Sequence, residues 1–389
     1  MTQTEKMIVP RQEWNRPPYN RWSFQHVREI LPTTEVWRGR GPVREFTRCE
    51  VALDALPVEG VAGEVPLSRF FDETYTDGFL VIRDGAIAYE RYFNNMTERS
   101  LHLSQSVAKS FTGALAGILI GKRLMDVKAP VTDYLPELQD TAWKGASLQH
   151  VLDMTSGVRF NEDYTDPYSD IGQVDVASGW RSPPAGSDPH FKWPASMWEV
   201  VLGLKALTRP HGAQFEYRSI ETDVLAFAME RVTGQRLAPL LSEHVWQKAG
   251  MEESANFTVD AAGYAIADAG LNACLRDYGR FGQLVLEGGG GIIPANWIEN
   301  TRNADHSKWG APYSNLLPKG AYHNQFWIED PESRTLMCRG VFGQLIYISW
   351  QYNMVIVKLS TWPEFVNPKF VAATLRACHA IGNHLTQVK

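Results

Sequence analysis

The sequence predicts an α/β (α+β) fold in which an antiparallel sheet, built from both ends of the chain, is flanked by helices and interrupted by an all-helical insert. Three observations predict it. Residues Gly78 to Phe93 read as a β-hairpin, the middle of the chain carries helical periodicity, and β-rich runs return at Gln344–Trp350 and Met354–Leu359. The expected units are an irregular N-terminal wrap (1–70), a sheet domain (71–124 and 270–389) and a helical insert domain (125–269).

Seven prolines within residues 1–70 leave room for one short helix, near Phe24 to Leu31. In the hairpin, Asp84-Gly85 supplies the positive φ of a tight turn between β-rich flanks. From Ser106 to Leu124 an apolar face recurs at Val107, Phe111, Leu115, Ile118 and Leu119, the spacing of a helix. A shorter helix at Leu148–Met154 stops before Gly157. Residues 181–194, RSPPAGSDPHFKWP, form a loop because Pro and Gly forbid a long helix. Helices resume at 195–206, 220–232, 236–249 and 272–287, and one from Pro368 to Leu385 closes the chain.

Composition excludes several functions. The 389 residues are 44% hydrophobic and 21% charged, an ordinary globular balance, and the net charge of −6 disfavours binding driven by nucleic-acid phosphates. The four cysteines, Cys49, Cys274, Cys338 and Cys378, form no CxxC pair, so neither a structural zinc site nor a disulfide scaffold is expected. The N-terminus lacks the apolar core of a secretory signal, and the longest apolar stretch, Gly113–Ile120, is too short to span a bilayer. The expectation is a cytoplasmic protein acting on a small molecule, with no cofactor, metal, nucleic-acid or membrane partner, and with a homodimer left open.

No GxSxG, Walker A, HExxH or GxGxxG motif occurs. What remains is Ser106-Val-Ala-Lys109, an SxxK, of which 13 lysines and 21 serines yield about 0.7 by chance. Its position gives it weight. At a helix start, residues i and i+3 share a face, so hydroxyl and amine can meet, and the helix dipole favours developing negative charge. Burial of Lys109 in an apolar face is expected to lower its pKa and make it a base for Ser106. The bland alternative is a capping serine and an outward-reaching lysine. Tyr217-Arg-Ser219 is a looser YxS pattern, since four other tyrosines have Ser or Asn two residues on. Tyr217 ends a loop, where a catalytic tyrosine could face another element, and Ser219 is placed to cap the helix beginning at Ile220.

The order of hairpin, SxxK helix, helical insert, YxS and late strand pair resembles the penicillin-recognising serine hydrolases, a β-lactamase-like family that includes class C β-lactamases, esterases and DD-peptidases. Within it the chain is most similar to the 6-aminohexanoate-dimer (nylon-oligomer) hydrolases. The likeness lies in Tyr75-Thr-Asp77, Asn161-Glu-Asp-Tyr164, Ser178-Gly-Trp-Arg181, Thr222-Asp-Val-Leu-Ala226 and Val357-Lys-Leu-Ser360, and covers roughly residues 70–365. It implies cleavage of an amide or ester through an acyl-enzyme, with Ser106 as nucleophile, Lys109 as base and Tyr217 as proton shuttle. It also implies that Ser219 fills the third position of the tyrosine motif and that Tyr164 and Asp175 contact substrate. The third motif departs from the family pattern, reading Cys338-Arg339-Gly340 without its usual lysine. Gly340 keeps the backbone approachable, and Val341 N–H with Ser106 N–H is the expected oxyanion hole. Phe342-Gly343-Gln344 stands where the nylon-oligomer enzymes have His-Gly-Gln, which makes Gln344 a further substrate-contact candidate, and Asp268 stands where they have Asn. The alternatives within the family are a carboxylesterase and a β-lactamase or peptidase. A binding protein that kept the pocket is the reading outside enzymology.

Overall fold

The computed structural model describes residues 8–330, 332–333 and 335–387. Its main sheet has eight strands, in the order 321–323, 326–328, 336–340, 344–349, 354–360, 76–83, 86–92 and 47–48. Neighbours are antiparallel except the last pair, where Thr47–Arg48 runs parallel to Ala86–Tyr92. The early hairpin therefore joins the late strands through Met354–Ser360, whose Val357 stands opposite Leu80. Asp84 and Gly85 both take positive φ, 51° and 78°, as the tight turn requires.

Both faces of this sheet are covered, and the alternation of side chains sorts two cores. Leu80, Ile82, Ile346, Ile348, Val355 and Val357 pack toward the Ala108–Gly121 and Leu275–Leu286 helices. Phe79, Val81, Leu345, Tyr347, Met354 and Ile356 pack toward the N-terminal segment and the Pro368–Gln387 helix. A period of two buried on each side explains why these strands read as continuous apolar runs.

Several elements differ from the sequence expectation. The N-terminal wrap contains Asn20–Ser23 and Val27–Glu29 as single helical turns rather than one helix over 24–31, and also the strand Thr33–Val36 and the helix Leu67–Glu73. Within the range expected to be all helical, Ala255–Thr258 is a strand; it pairs with Thr33–Val36 and with Leu271–Ala273 in a second, four-stranded sheet. The helix expected from 272 thus begins at Leu275, because Leu271–Ala273 answers a strand partner distant in sequence. The buried helix begins at Ala108, with Gln105–Val107 forming a 3₁₀ turn before it. The 181–194 loop is free of helix and strand, as expected.

Asp77, fully buried, ties these parts together. It accepts from Arg21 at 2.8 Å, His102 at 3.1 Å and Thr361 at 2.9 Å, joining the N-terminal segment, both sheets and the strand that leads into Ser106. Trp14, 0% exposed, donates its indole N–H to the Trp180 carbonyl at 2.9 Å and meets the Trp180 ring edge-on at 5.3 Å. The N-terminal segment thereby clamps the 178–182 loop. Trp14→Ala is expected to cost about 3–5 kcal/mol, as deletion of a buried aromatic does. Thermal or denaturant unfolding checks it, and a loss below ~1 kcal/mol would remove the clamp from the cooperative fold.

Candidate active site

Ser106 sits in a strained turn. Gln105 holds φ at 49°, a left-handed conformation that costs a non-glycine residue roughly 1 kcal/mol or more and that recurs at functional sites. Ser104 N–H bonds the Leu271 carbonyl at 2.8 Å and Leu103 N–H bonds the Phe24 carbonyl at 2.8 Å, so neighbouring elements hold the turn. One helical turn on, the Lys109 ammonium is 1% exposed and donates to Ser106 Oγ at 2.9 Å and to the Asp268 carbonyl at 2.8 Å. The outward-reaching lysine is thereby excluded. Asp268 also places a carboxylate oxygen 3.6 Å from Lys109 Nζ.

Tyr217 arrives from the opposite side on the loop before the Ile220–Thr233 helix. Its ring lies 5.2 Å from Lys109 Nζ and stacks on Trp327 at 5.3 Å, while its backbone N–H donates to the Tyr313 hydroxyl at 2.9 Å. Its own hydroxyl is in hydrogen-bonding reach of Ser106 and Lys109; burial dominates and raises its pKa, and the Lys109 charge pulls the other way. The expectation that burial makes Lys109 less basic is corrected here. Burial lowers its pKa as the largest single influence, but Tyr217, Asp268 and Glu162 together outweigh it and the net direction is upward.

Gly340 brings the facing strand against Ser106. A Cβ built there would lie 2.6 Å from the Ser104 carbonyl oxygen and 3.0 Å from Ser106 N, so no larger residue fits without movement. Val341 then lines the cleft beside Ser106, together with Tyr164, Asp175, Ser219 and Asp268. Asp175 belongs to the Asp170–Ala177 helix and lies 3.4 Å from Arg181; burial raises its pKa to about 6, with Arg181 and then Arg16 acting against that shift.

Two candidate residues are used differently from the expectation. Ser219 does not cap its helix: its backbone is already helical (φ −54°, ψ −42°) and its hydroxyl donates to Glu162 at 2.5 Å. Gln344 is 2% exposed and is not among the cleft-lining side chains. Its amide donates to the Ser360 carbonyl at 2.6 Å and the Phe342 carbonyl at 3.2 Å, and accepts from Ser360 N–H at 3.2 Å. A buried amide must satisfy both ends, and this one does so by bracing the loop that carries Val341. Lys358 likewise lies away from the cleft, between the Phe70 and Trp362 rings, and donates to the Thr74 carbonyl at 3.1 Å.

Glu162 and Asp223 are functional-site neighbours that sequence reasoning missed. Glu162 accepts from Ser219 N–H at 3.1 Å and from the Tyr164 hydroxyl at 2.8 Å, so it joins the insert loop to the tyrosine motif. It lies among exposed acids and carries no periodic signal. Asp223 had one: a carboxylate directly before the apolar run Val224–Met229 of a helix. The Arg339 guanidinium rests at 4.8 Å over Trp327, the ring on which Tyr217 also stacks, and burial lowers its pKa to about 10. Among the described residues no cluster of His, Cys, Asp and Glu suits a metal ion, and no helix is long and apolar enough to cross a membrane.

The chain that carries this cluster of a serine, a buried lysine and a tyrosine is similar to known proteins over nearly its whole length. Residues 67–381 match the family model described as Beta-lactamase. The 6-aminohexanoate-dimer hydrolase of Paenarthrobacter ureafaciens is 35% identical over 90% of this chain and 88% of its own. A Bacillus anthracis structure that bears the 6-aminohexanoate-dimer hydrolase name provisionally superposes with a TM-score of 0.89 at 31% identity, covering 99% of both chains. EstCE1, a hydrolase with promiscuous acyltransferase activity, shares the fold at a TM-score of 0.63 and 17% identity over 81% of this chain and 96% of its own. The chain belongs to the β-lactamase family and is a serine hydrolase.

Proposed function

We propose that this enzyme hydrolyses linear amides of the 6-aminohexanoate-dimer type through an acyl-enzyme on Ser106. The observation that carries the reading is the Lys109 ammonium 2.9 Å from Ser106 Oγ, with the Tyr217 hydroxyl in reach of both. The substrate carbonyl enters between Ser106 and the 340–341 backbone, where Ser106 N–H and Val341 N–H would receive the developing oxyanion. With Lys109 as the free amine, Ser106 Oγ attacks as its proton passes into the Lys109–Tyr217 pair. Tyr217 returns a proton to the leaving nitrogen, since an amine departs only when protonated. Water then attacks the ester, and the same groups run the proton transfers in reverse.

Asp175 supports the choice of substrate. A carboxylate on the cleft wall can pair with the ammonium at the far end of an aminoacyl chain and fix its register. Tyr164 forms the adjoining wall, its ring stacked on Phe365 at 5.1 Å. Arg339, beyond Tyr217, is a cation of the right sign for the carboxylate of the departing half. The division into a sheet unit and an insert belongs to this reading, because Ser106 precedes the insert while Tyr164, Asp175 and Tyr217 lie within it. So does a cytoplasmic setting, with which the four unpaired cysteines agree.

A second reading, a carboxylesterase, is favoured by one feature. Asp175 is already matched by Arg181, and the Tyr164 hydroxyl is given to Glu162, so neither is wholly free for an amide substrate.

Three measurements test these readings. Intact mass after fluorophosphonate treatment should rise by one adduct on the wild type and stay unchanged on Ser106→Ala; an adduct on the variant would reject Ser106. Lys109→Arg and Tyr217→Phe should each lower kcat by about 10²-fold or more, since positioned acid–base groups supply ~10²–10⁴-fold and a guanidinium keeps its proton. Near wild-type turnover in Lys109→Arg would leave the lysine only an electrostatic role. Finally, Asp175→Ala and Tyr164→Phe should reduce hydrolysis of 6-aminohexanoate dimer far more than that of a p-nitrophenyl ester. Equal losses on both substrates would make carboxylesterase the better description.

A further inference from the structure

Behind Lys109 lie two carboxyl groups that the mechanism above does not use. Asp268 faces the ammonium at 3.6 Å, and Asp223, on the Ile220–Thr233 helix, bonds the backbone immediately before Asp268. Asp223 Oδ1 accepts the Ala267 N–H at 3.0 Å, and the Asp268 backbone N–H also points to it. Each acid has one oxygen left over. Asp223 Oδ2 and Asp268 Oδ1 are both buried and have no hydrogen-bond partner. Two buried acceptors without donors, on two adjacent acids, are costly as a pair of carboxylates and satisfied at once if one of them carries a proton.

We propose that Asp223 and Asp268 hold a single proton between them, and that this acid–carboxylate pair is the counter-ion that positions Lys109 and sets the pH at which Lys109 can act on Ser106. The proton resides on Asp223, whose pKa stands well above the carboxylate range because of burial first and the Asp268 charge second. The Asp268 carboxyl is the member of the pair that faces Lys109, at 3.6 Å. The other groups facing Lys109 are Ser106 on its own helix, Tyr217 from the loop across the cleft and Glu162 from the insert loop. Of these acidic neighbours only Asp268 contacts the ammonium twice, through its carbonyl at 2.8 Å and its carboxylate at 3.6 Å. Asp223 and Asp268 are positioning residues here, since neither reaches the reacting atoms.

The inference rests on Lys109 serving Ser106, so its test uses the rate at which a fluorophosphonate labels Ser106, measured against pH. In the wild type this rate rises with pH as Lys109 becomes free to take the serine proton. Asp268→Asn, close to isosteric, removes the charge that raises the proton affinity of Lys109. The rising limb should then move to lower pH by about one unit, making labelling on that limb roughly tenfold faster relative to its plateau. Asp268→Glu, which restores the charge, should return the limb toward its wild-type position; a merely structural role would not predict that rescue. Asp223→Asn replaces a protonated carboxyl by an amide that can still donate to Asp268, so its limb should stay in place. An unmoved limb in Asp268→Asn, or a shift to lower pH in Asp223→Asn, overturns the proposal. The Asp223→Asn arm decides it alone if Asp268→Asn does not melt as a folded protein. Labelling that survives Ser106→Ala is a different failure, and it rejects the serine mechanism itself.

Discussion

A buried ammonium organises this molecule. Lys109 is taken out of water at the first turn of an apolar helix, which in an isolated setting costs several kcal/mol. The attraction of one carboxylate at about 4 Å returns roughly 4 kcal/mol at an effective dielectric constant of ~20. The remainder comes from hydrogen bonds to Ser106 Oγ and the Asp268 carbonyl, and from the acidic groups Tyr217 and Glu162. Ser106, Asp268, Tyr217 and Glu162, drawn from four separate segments, thus each contribute something that a cation requires. The residue proposed to activate the serine is also the one that the insert, the second sheet and the tyrosine loop converge on.

Strain and rigidity are divided between the two walls. Gln105 before the serine and Phe342 after Val341 both hold positive φ, 49° and 60°, on the two strands of backbone that meet at Gly340. Such conformations persist only where the surroundings over-determine them. Here they do. Gln344 braces the 341–343 loop against Ser360, and Asp77 anchors the approach to Ser106 through His102. The two cores on either face of the eight-stranded sheet supply the stiffness that the proposed oxyanion pair, Ser106 N–H and Val341 N–H, would require.

The wall that meets substrate is built otherwise. Tyr164, Asp175 and the 178–182 loop depend on one another and on the N-terminal segment, with Trp14 seated against Trp180 and Asn15 accepting from Arg181 at 2.8 Å. On the proposed reading, chemistry is supported by the sheet and selection by a separate clamp. Substrate preference can drift in such an arrangement while the serine, lysine and tyrosine stay fixed relative to each other.

The elements whose order is local in sequence were legible without coordinates. The hairpin turn at Asp84-Gly85, the apolar face from Val107 to Leu119 and the i, i+3 spacing of Ser106 and Lys109 follow from backbone periodicity, and the resemblance to a known family gave Tyr217 its role and added Tyr164 and Asp175. What tertiary structure decided is what depends on partners distant in the chain. Leu271–Ala273 is a strand because Ala255–Thr258 and His102–Leu103 lie beside it. Ser219 gives up capping because Glu162 is within reach, and Gln344 turns from the cleft because Ser360 offers both a donor and an acceptor. The sign of the shift at Lys109 belongs to the same class. A helix position predicts burial, which lowers a lysine pKa, but only the fold brings Asp268, Tyr217 and Glu162 around the ammonium, and Coulombic attraction at a few ångströms outweighs desolvation there.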